Sequence, residues 1–149
     1  MTLRHNPSDY LPEAARTPEQ LTEMERLIKA GICLFCDPSE RKYVLRSKYW
    51  HVVPNKFPYK GTQLHLLIIP ELHVDSLQDL PADAFQDYML VLMLLEQLFG
   101  LTAYSHFMRV GDMRFTGASM AHLHGHVIVG DTQSDGFESV KVKLASNVQ

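Results

Sequence analysis

The sequence predicts a single α+β domain, an antiparallel sheet with packed helices. Two observations carry this. Two segments place apolar residues at helical spacing, and several shorter runs rich in Val, Ile, Leu and aromatic residues lie between turn residues. These elements come in the order helix, strands, helix, strands, so strands neighbour strands instead of alternating with helices as in βαβ units. A length of 149 residues suits one domain with a substantial core.

Residues 1–16 are polar and contain proline, and read as an N-terminal arm ahead of one domain over 17–149. His5 in that arm is expected in solvent. Thr17-Pro18-Glu19-Gln20 reads as a helix start: Thr17 caps, Pro18 suits the first helical position and Gln20 completes a capping box. The helix is predicted to reach Ala30 and stop at Gly31. Cys33-Leu34-Phe35-Cys36 follows, then a turn at Asp37-Pro38-Ser39-Glu40. Tyr43 to Val53 reads as one strand and residues 54–61 as a loop. Leu64 to Ile69 is a buried strand ending at Pro70. A second helix is predicted from Ala82 to Phe99, with Phe85, Met89, Leu92, Leu95 and Phe99 forming its apolar stripe and Gly100 closing it. Two further strands fit at about 104–111 and 121–130. From Thr132 the chain is polar, with no clear period until Val140.

A formal charge of −3 gives no general reason to bind nucleic acid or an anionic membrane. No apolar run reaches the roughly 18 residues of a spanning helix. The first residues lack the apolar centre of a signal peptide, so a cytoplasmic location is expected.

The residues richest in chemistry are the histidines, eight in all. His122, His124 and His126 alternate with Leu123 and Gly125, and the run continues as Val127-Ile128-Val129. On a strand they share one face, about 6.5–7 Å apart, while Leu123 and Val127 turn to the other. A neutral imidazole is a competent nucleophile near neutral pH, its pKa being about 6.5. The two cysteines, Cys33 and Cys36, form a CxxC pair. Such a pair suits zinc or redox work better than a structural disulfide. A redox role wants the pair to open a helix after a strand, whereas here a helix precedes it and an Asp-Pro turn follows.

His-x-His-x-His followed by apolar residues resembles the signature of the histidine-triad superfamily. Gly117-Ala118-Ser119-Met120-Ala121 looks like the Gly-x-Ser segment of its nucleotidyltransferase branch, which includes galactose-1-phosphate uridylyltransferase. His65 to His73 resembles the family's His-apolar-Pro-x-x-His block, and Val53 to Pro58 its ribose-binding loop. The resemblance spans about residues 31–130.

It implies a nucleoside phosphate hydrolase that cleaves a phosphoanhydride or phosphoramidate, with an adenylated substrate expected. His124 would be the nucleophile and form a nucleotidyl-histidine. His126 would stand by the phosphate and leaving oxygen, Ser119 would donate a hydroxyl to the phosphate, and His65 would orient the neighbouring imidazoles. Asn55 would bond the ribose hydroxyls, and Phe35, Val53 and Phe57 would form the base pocket. Cys33, Cys36, His73 and His122 match the ligands of the family's structural zinc, one per chain. A homodimer is expected, as in much of the family. The same intermediate also serves a dinucleoside polyphosphate phosphorylase or a nucleotidyltransferase, and a noncatalytic nucleotide-binding protein is a third reading. The sequence departs from the family where Asn or Gln commonly contact phosphate: Gly111 and Ala118 stand there, and Val-Gly-Asp follows the triad where some members have Pro-Arg. Arg109 and Arg114 are candidates to replace those contacts. His51 and His106 are read as strand positions without assigned chemistry.

Overall fold

The computed structural model describes residues 9–147; His5 and the first half of the arm lie outside them. Five strands form one antiparallel sheet: β1 (Leu45–Arg46), β2 (Trp50–Pro54), β3 (Thr62–Pro70), β4 (Ser105–Arg109) and β5 (His124–Gly130), in the order β1-β2-β3-β5-β4. Helix α1 (Pro18–Ala30) lies toward one face and α2 (Ala84–Phe99) packs on the other, with a single turn, α3 (Met113–Thr116), ahead of the triad segment.

Alternation along β3 divides the core. Leu66 and Ile68 join Trp50, Val52, Leu123 and Val127 beneath α2, while Leu67 and Ile69 pack with Met24 and Leu27 of α1, Cys33, Phe35 and Met120. Thr17 Oγ1 accepts from the Gln20 amide at 3.1 Å, as the cap predicts. Gln20 Oε1 accepts from the Arg16 amide, one residue earlier than a capping box requires. Gly31 and Gly100 close the two helices in the left-handed region, at φ 67° and 60°.

Three expectations change. The segment Tyr43–Val53 is not one strand but the hairpin β1–β2, paired Leu45 to Val52 and Arg46 to His51. Its turn is held from outside: Asp87 of α2 accepts from Ser47 Oγ at 2.6 Å and from the Tyr49 amide at 2.9 Å. Helix α2 buries Ala84, Tyr88, Val91, Leu92 and Leu95, whereas Phe85, Met89 and Phe99 of the predicted stripe are exposed. This helix is apolar nearly all round, so periodicity alone does not choose its buried face. The last two strands are shorter than read, and β5 begins at His124, leaving His122 on the bend before it.

Two irregular segments frame the site face. Tyr10 is buried, its hydroxyl donating to the Ile32 carbonyl at 2.7 Å and accepting from the Leu34 amide at 3.1 Å. Residues 131–147 run back without helix or strand. Among the described residues no helix is long and apolar enough to cross a membrane.

Candidate active site and metal centre

β5 and the bend before it bring the three histidines to one side of the sheet. All three are buried, and the rings of His124 and His126 are 5.1 Å apart. The His124 Nδ1–H donates to the His122 carbonyl at 2.7 Å, which leaves the lone pair on Nε2. The edge of Phe35 packs on this ring, centroids 5.2 Å apart. Burial pulls the His124 pKa down to about 4, so the ring is neutral at pH 7. Burial draws His65 down to about 4 as well and His126 lower still, the neighbouring His124 adding to the effect on His126.

His126 is held between two partners. Its Nδ1 meets His65 Nε2 at 2.8 Å, and Arg109 Nε–H points at its Nε2 from 3.3 Å. At the other end of the chain the Tyr59 amide points at His65 Nδ1 from 3.1 Å. Both end groups bring their own hydrogens, so three satisfied contacts leave room for one ring proton, while two neutral imidazoles carry two. The surplus donor needs an acceptor oxygen. The Arg109 contact is the longest of the three and the one that gives way to it.

A cleft of about 550 Å³ runs away from His124 over Leu67 and Ile69, between Phe35, Val53, Asn55 and Phe57. Asn55 Oδ1 accepts from the Phe57 amide at 3.0 Å and so shapes the loop. Its amide nitrogen lies 3.2 Å from His65 Nε2. Ser119 borders both this cleft and a smaller recess shared with His124 and His126. Every residue singled out for nucleotide chemistry therefore borders one continuous region, or in the case of His65 supports it.

The four expected ligands also meet. The donor atoms of Cys33, Cys36, His73 and His122 lie within 4.8 Å of one another. Cys36 Sγ is 3.2 Å from His73 Nδ1 and 3.4 Å from His122 Nδ1, and Cys33 Sγ is 3.5 Å from His122 Nδ1. A tetrahedral zinc with its usual S and N bond lengths has S···N edges of about 3.5 Å, so the spacing fits. The tautomer fits too: His122 Nε2–H donates to the Pro70 carbonyl at 3.0 Å, which turns the Nδ1 lone pair toward the thiols. His73 Nε2 faces the Asp9 carboxylate at 3.7 Å. The Cys36 hydrogen bond draws the Cys33 thiol well below the usual thiol range.

The structure adds residues that the sequence did not single out. Tyr59 stacks near His126, centroids 5.6 Å apart, and its hydroxyl accepts from Arg109 Nη2 at 2.7 Å. Arg16 sits over the Tyr59 ring at 4.4 Å. Of the two arginines considered for phosphate, Arg109 is buried beside the triad, whereas Arg114 is exposed and paired with Asp112. Lys56 is paired with Glu23 on the surface. His51 is bound to Glu71 at 3.2 Å. His106 Nδ1–H donates to the His126 carbonyl at 2.9 Å and its Nε2 accepts from the Tyr88 hydroxyl at 2.9 Å. Sequence spacing carries no signal for Tyr59 or Arg16, because both reach the site from irregular segments.

Comparison with known proteins shows the family and agrees with the fold. The HIT domain family matches residues 39–133. An uncharacterized HIT-like protein of Chlamydia trachomatis is 30% identical over 115 residues, 73% of this chain and 92% of that protein. A histidine triad nucleotide-binding protein from Candida albicans superposes with a TM-score of 0.54 at 21% identity, covering 82% of this chain and 83% of the other. A zinc-bound histidine triad family protein from Mycobacterium smegmatis gives 0.52 at 18% identity, covering 74% and 82%.

Proposed function

The chain belongs to the HIT family, and from that premise we propose that it is a nucleoside phosphate hydrolase acting through a nucleotidyl-histidine on His124. The observation that carries the reading is the His124 ring: buried, neutral, with its Nδ1–H fixed on a backbone carbonyl and Nε2 left as the nucleophile. Nε2 attacks the α-phosphorus, and the bond from phosphorus to the bridging oxygen breaks, the electron pair leaving with that oxygen. His126 supplies the surplus ring hydrogen to an oxygen there, backed by His65. Water then attacks the phosphoramidate, its proton replacing the one His126 gave up, the P–N bond returns its pair to His124, and a nucleoside monophosphate is released. Phe35, Val53 and Phe57 cover the base, Asn55 bonds the ribose and Ser119 donates to the phosphate. Cys33, Cys36, His73 and His122 would hold one zinc ion, and with all four ligands taken from protein it would supply structure and not an activated water. Two copies are proposed to pair, since α2 leaves Met89, Leu90, Met93, Leu94 and Leu98 exposed.

The test is turnover of a panel of dinucleoside polyphosphates, nucleoside phosphoramidates and nucleotide sugars. His124→Ala is expected to lose several orders of magnitude in rate while retaining fold and nucleotide affinity, each tenfold being about 1.4 kcal/mol of barrier. Rapid acid-free quenching of the wild type should trap an adduct on His124, acid-labile and stable to base. Near-normal turnover in the variant, or an adduct on another residue, refutes the mechanism. Binding without turnover across the whole panel would make it a nucleotide-binding protein instead.

A further inference from the structure

We propose that the cleft beyond the triad, between Arg16, Arg109, Lys141 and Lys143, is a second anion subsite that holds the phosphate-bearing group on the far side of the scissile phosphorus. This rests on reading the triad as a nucleotidyl-transfer centre.

The cleft has a volume of about 210 Å³ and is walled by those four cations with Tyr59, Val142 and Gly117. It shares Arg16, Tyr59, Arg109 and Gly117 with the recess that contains His124, His126 and Ser119, so the two spaces are continuous. No carboxylate borders either one. In a chain of net charge −3 this concentration is exceptional. Arg26, Arg41, Arg46, Lys48, Lys56, Lys60 and Arg114 each have a carboxylate within 4.0 Å. Among the described residues the cations without one are the four in this cleft, plus Lys29 and Lys42 elsewhere.

The site is built, not a chance meeting of loose side chains. Arg109 is buried and clamped by the carbonyls of Thr116 and Lys143 and by the Tyr59 hydroxyl. Arg16 lies at the rim over the same Tyr59 ring and donates to the Phe57 carbonyl at 2.5 Å. Loss of water, with the Arg109 charge adding to it, lowers the Arg16 pKa. Two guanidiniums sharing one tyrosine without an anion between them repel, and a phosphate would turn that repulsion into two charge-assisted contacts. The surplus ring hydrogen on the His65–His126 pair asks for an oxygen at the same place. The segment bearing the lysines is pinned on both sides: Arg109 Nη1 donates to the Lys143 carbonyl at 2.8 Å, and the Ser146 amide to the Arg114 carbonyl at 2.9 Å. Gly117, at φ 71°, admits this strap, because a Cβ there would overlap the Lys143 carbonyl. Both pins fall on backbone groups of the segment, and neither lysine has a carboxylate within 4.0 Å.

The ligand class follows. A nucleoside monophosphate ends at the triad and does not extend into this cleft. A leaving group with further phosphates does. When the bridging P–O bond breaks, the departing oxygen becomes a terminal phosphate oxygen among the four cations. In reverse, an oxygen of inorganic phosphate in the same cleft attacks the phosphoramidate phosphorus, the P–N bond returns its pair to His124, and a nucleoside diphosphate forms.

The test compares binding of inorganic triphosphate and of AMP to the wild-type protein and to the pairs Lys141→Gln/Lys143→Gln and Lys141→Glu/Lys143→Glu, with zinc content and circular dichroism as folding controls. Triphosphate should bind the wild type with steep salt dependence. It should weaken relative to AMP by about tenfold in the glutamine pair and further in the glutamate pair. Absence of triphosphate binding to the wild type, or equal binding in all three proteins, overturns the subsite. Failure of AMP to bind the wild type while triphosphate behaves as expected overturns the nucleotide reading of the other cleft instead.

Discussion

At the scale of single residues, the spacing of the triad was legible because alternation on a strand depends on nothing but backbone geometry. What separates His124 from His126 was not. Gly125 is required there by a tertiary contact: a Cβ would collide with the Tyr88 hydroxyl that reaches down from α2 to His106. His106 in turn holds the carbonyl of His126, so this contact lies directly behind the site. Gly125→Ala is expected to destabilise the fold by about 1–3 kcal/mol in denaturant melts, as overpacked positions do. Adding Tyr88→Phe removes the colliding oxygen, leaves the His106 ring edge at 3.2 Å as the nearest atom, and should restore part of the loss. Equal destabilisation in the single and double variants would place the constraint elsewhere.

At the scale of elements, a metal held by Cys33, Cys36, His73 and His122 would account for where the CxxC loop sits. Cys33 and Cys36 come from the segment after α1, His73 from just beyond β3, and His122 from just before β5. A bound ion would therefore tie the CxxC segment, which pairs with no strand, to the adjoining ends of the paired strands β3 and β5. Cys36→Ser should release zinc, measured by elemental analysis, and lower the melting temperature, because binding energy here is folding energy. Unchanged melting after complete zinc loss would remove the structural role. The same elements show what a sequence can and cannot specify. Caps at Thr17, Gly31 and Gly100 are local and were readable, as was the continuous apolar run of β3. The β1–β2 turn was not, because Asp87, forty residues after Ser47, holds it. The buried face of α2 was not either, since Phe85 and Met89 are as apolar as the residues that do pack.

At the scale of the whole molecule, the cost of a neutral, buried histidine cluster appears as acid sensitivity. His51, His65 and His124 are each drawn down to about 4, with burial the largest cause, and His126 lower still. In the unfolded chain all four bind protons below their ordinary pKa of about 6.5. The unfolded state thus carries more protons than the folded one between about 6.5 and 4, and stability falls as pH drops through that window. The melting temperature should hold above pH 7 and decline from there toward pH 4, with zinc followed in parallel to separate metal release. A flat profile down to pH 4.5 would contradict the neutral cluster. The strap over Gly117 has a consequence for how the protein comes to be functional. It brings Lys143, near one end of the described chain, to the cleft that Arg16, near the other, also lines, and such distant segments come together late because the intervening chain must first be ordered. The sheet and both helices can form without them. A refolding molecule would then regain its secondary structure first, and its grip on a polyphosphate only afterwards.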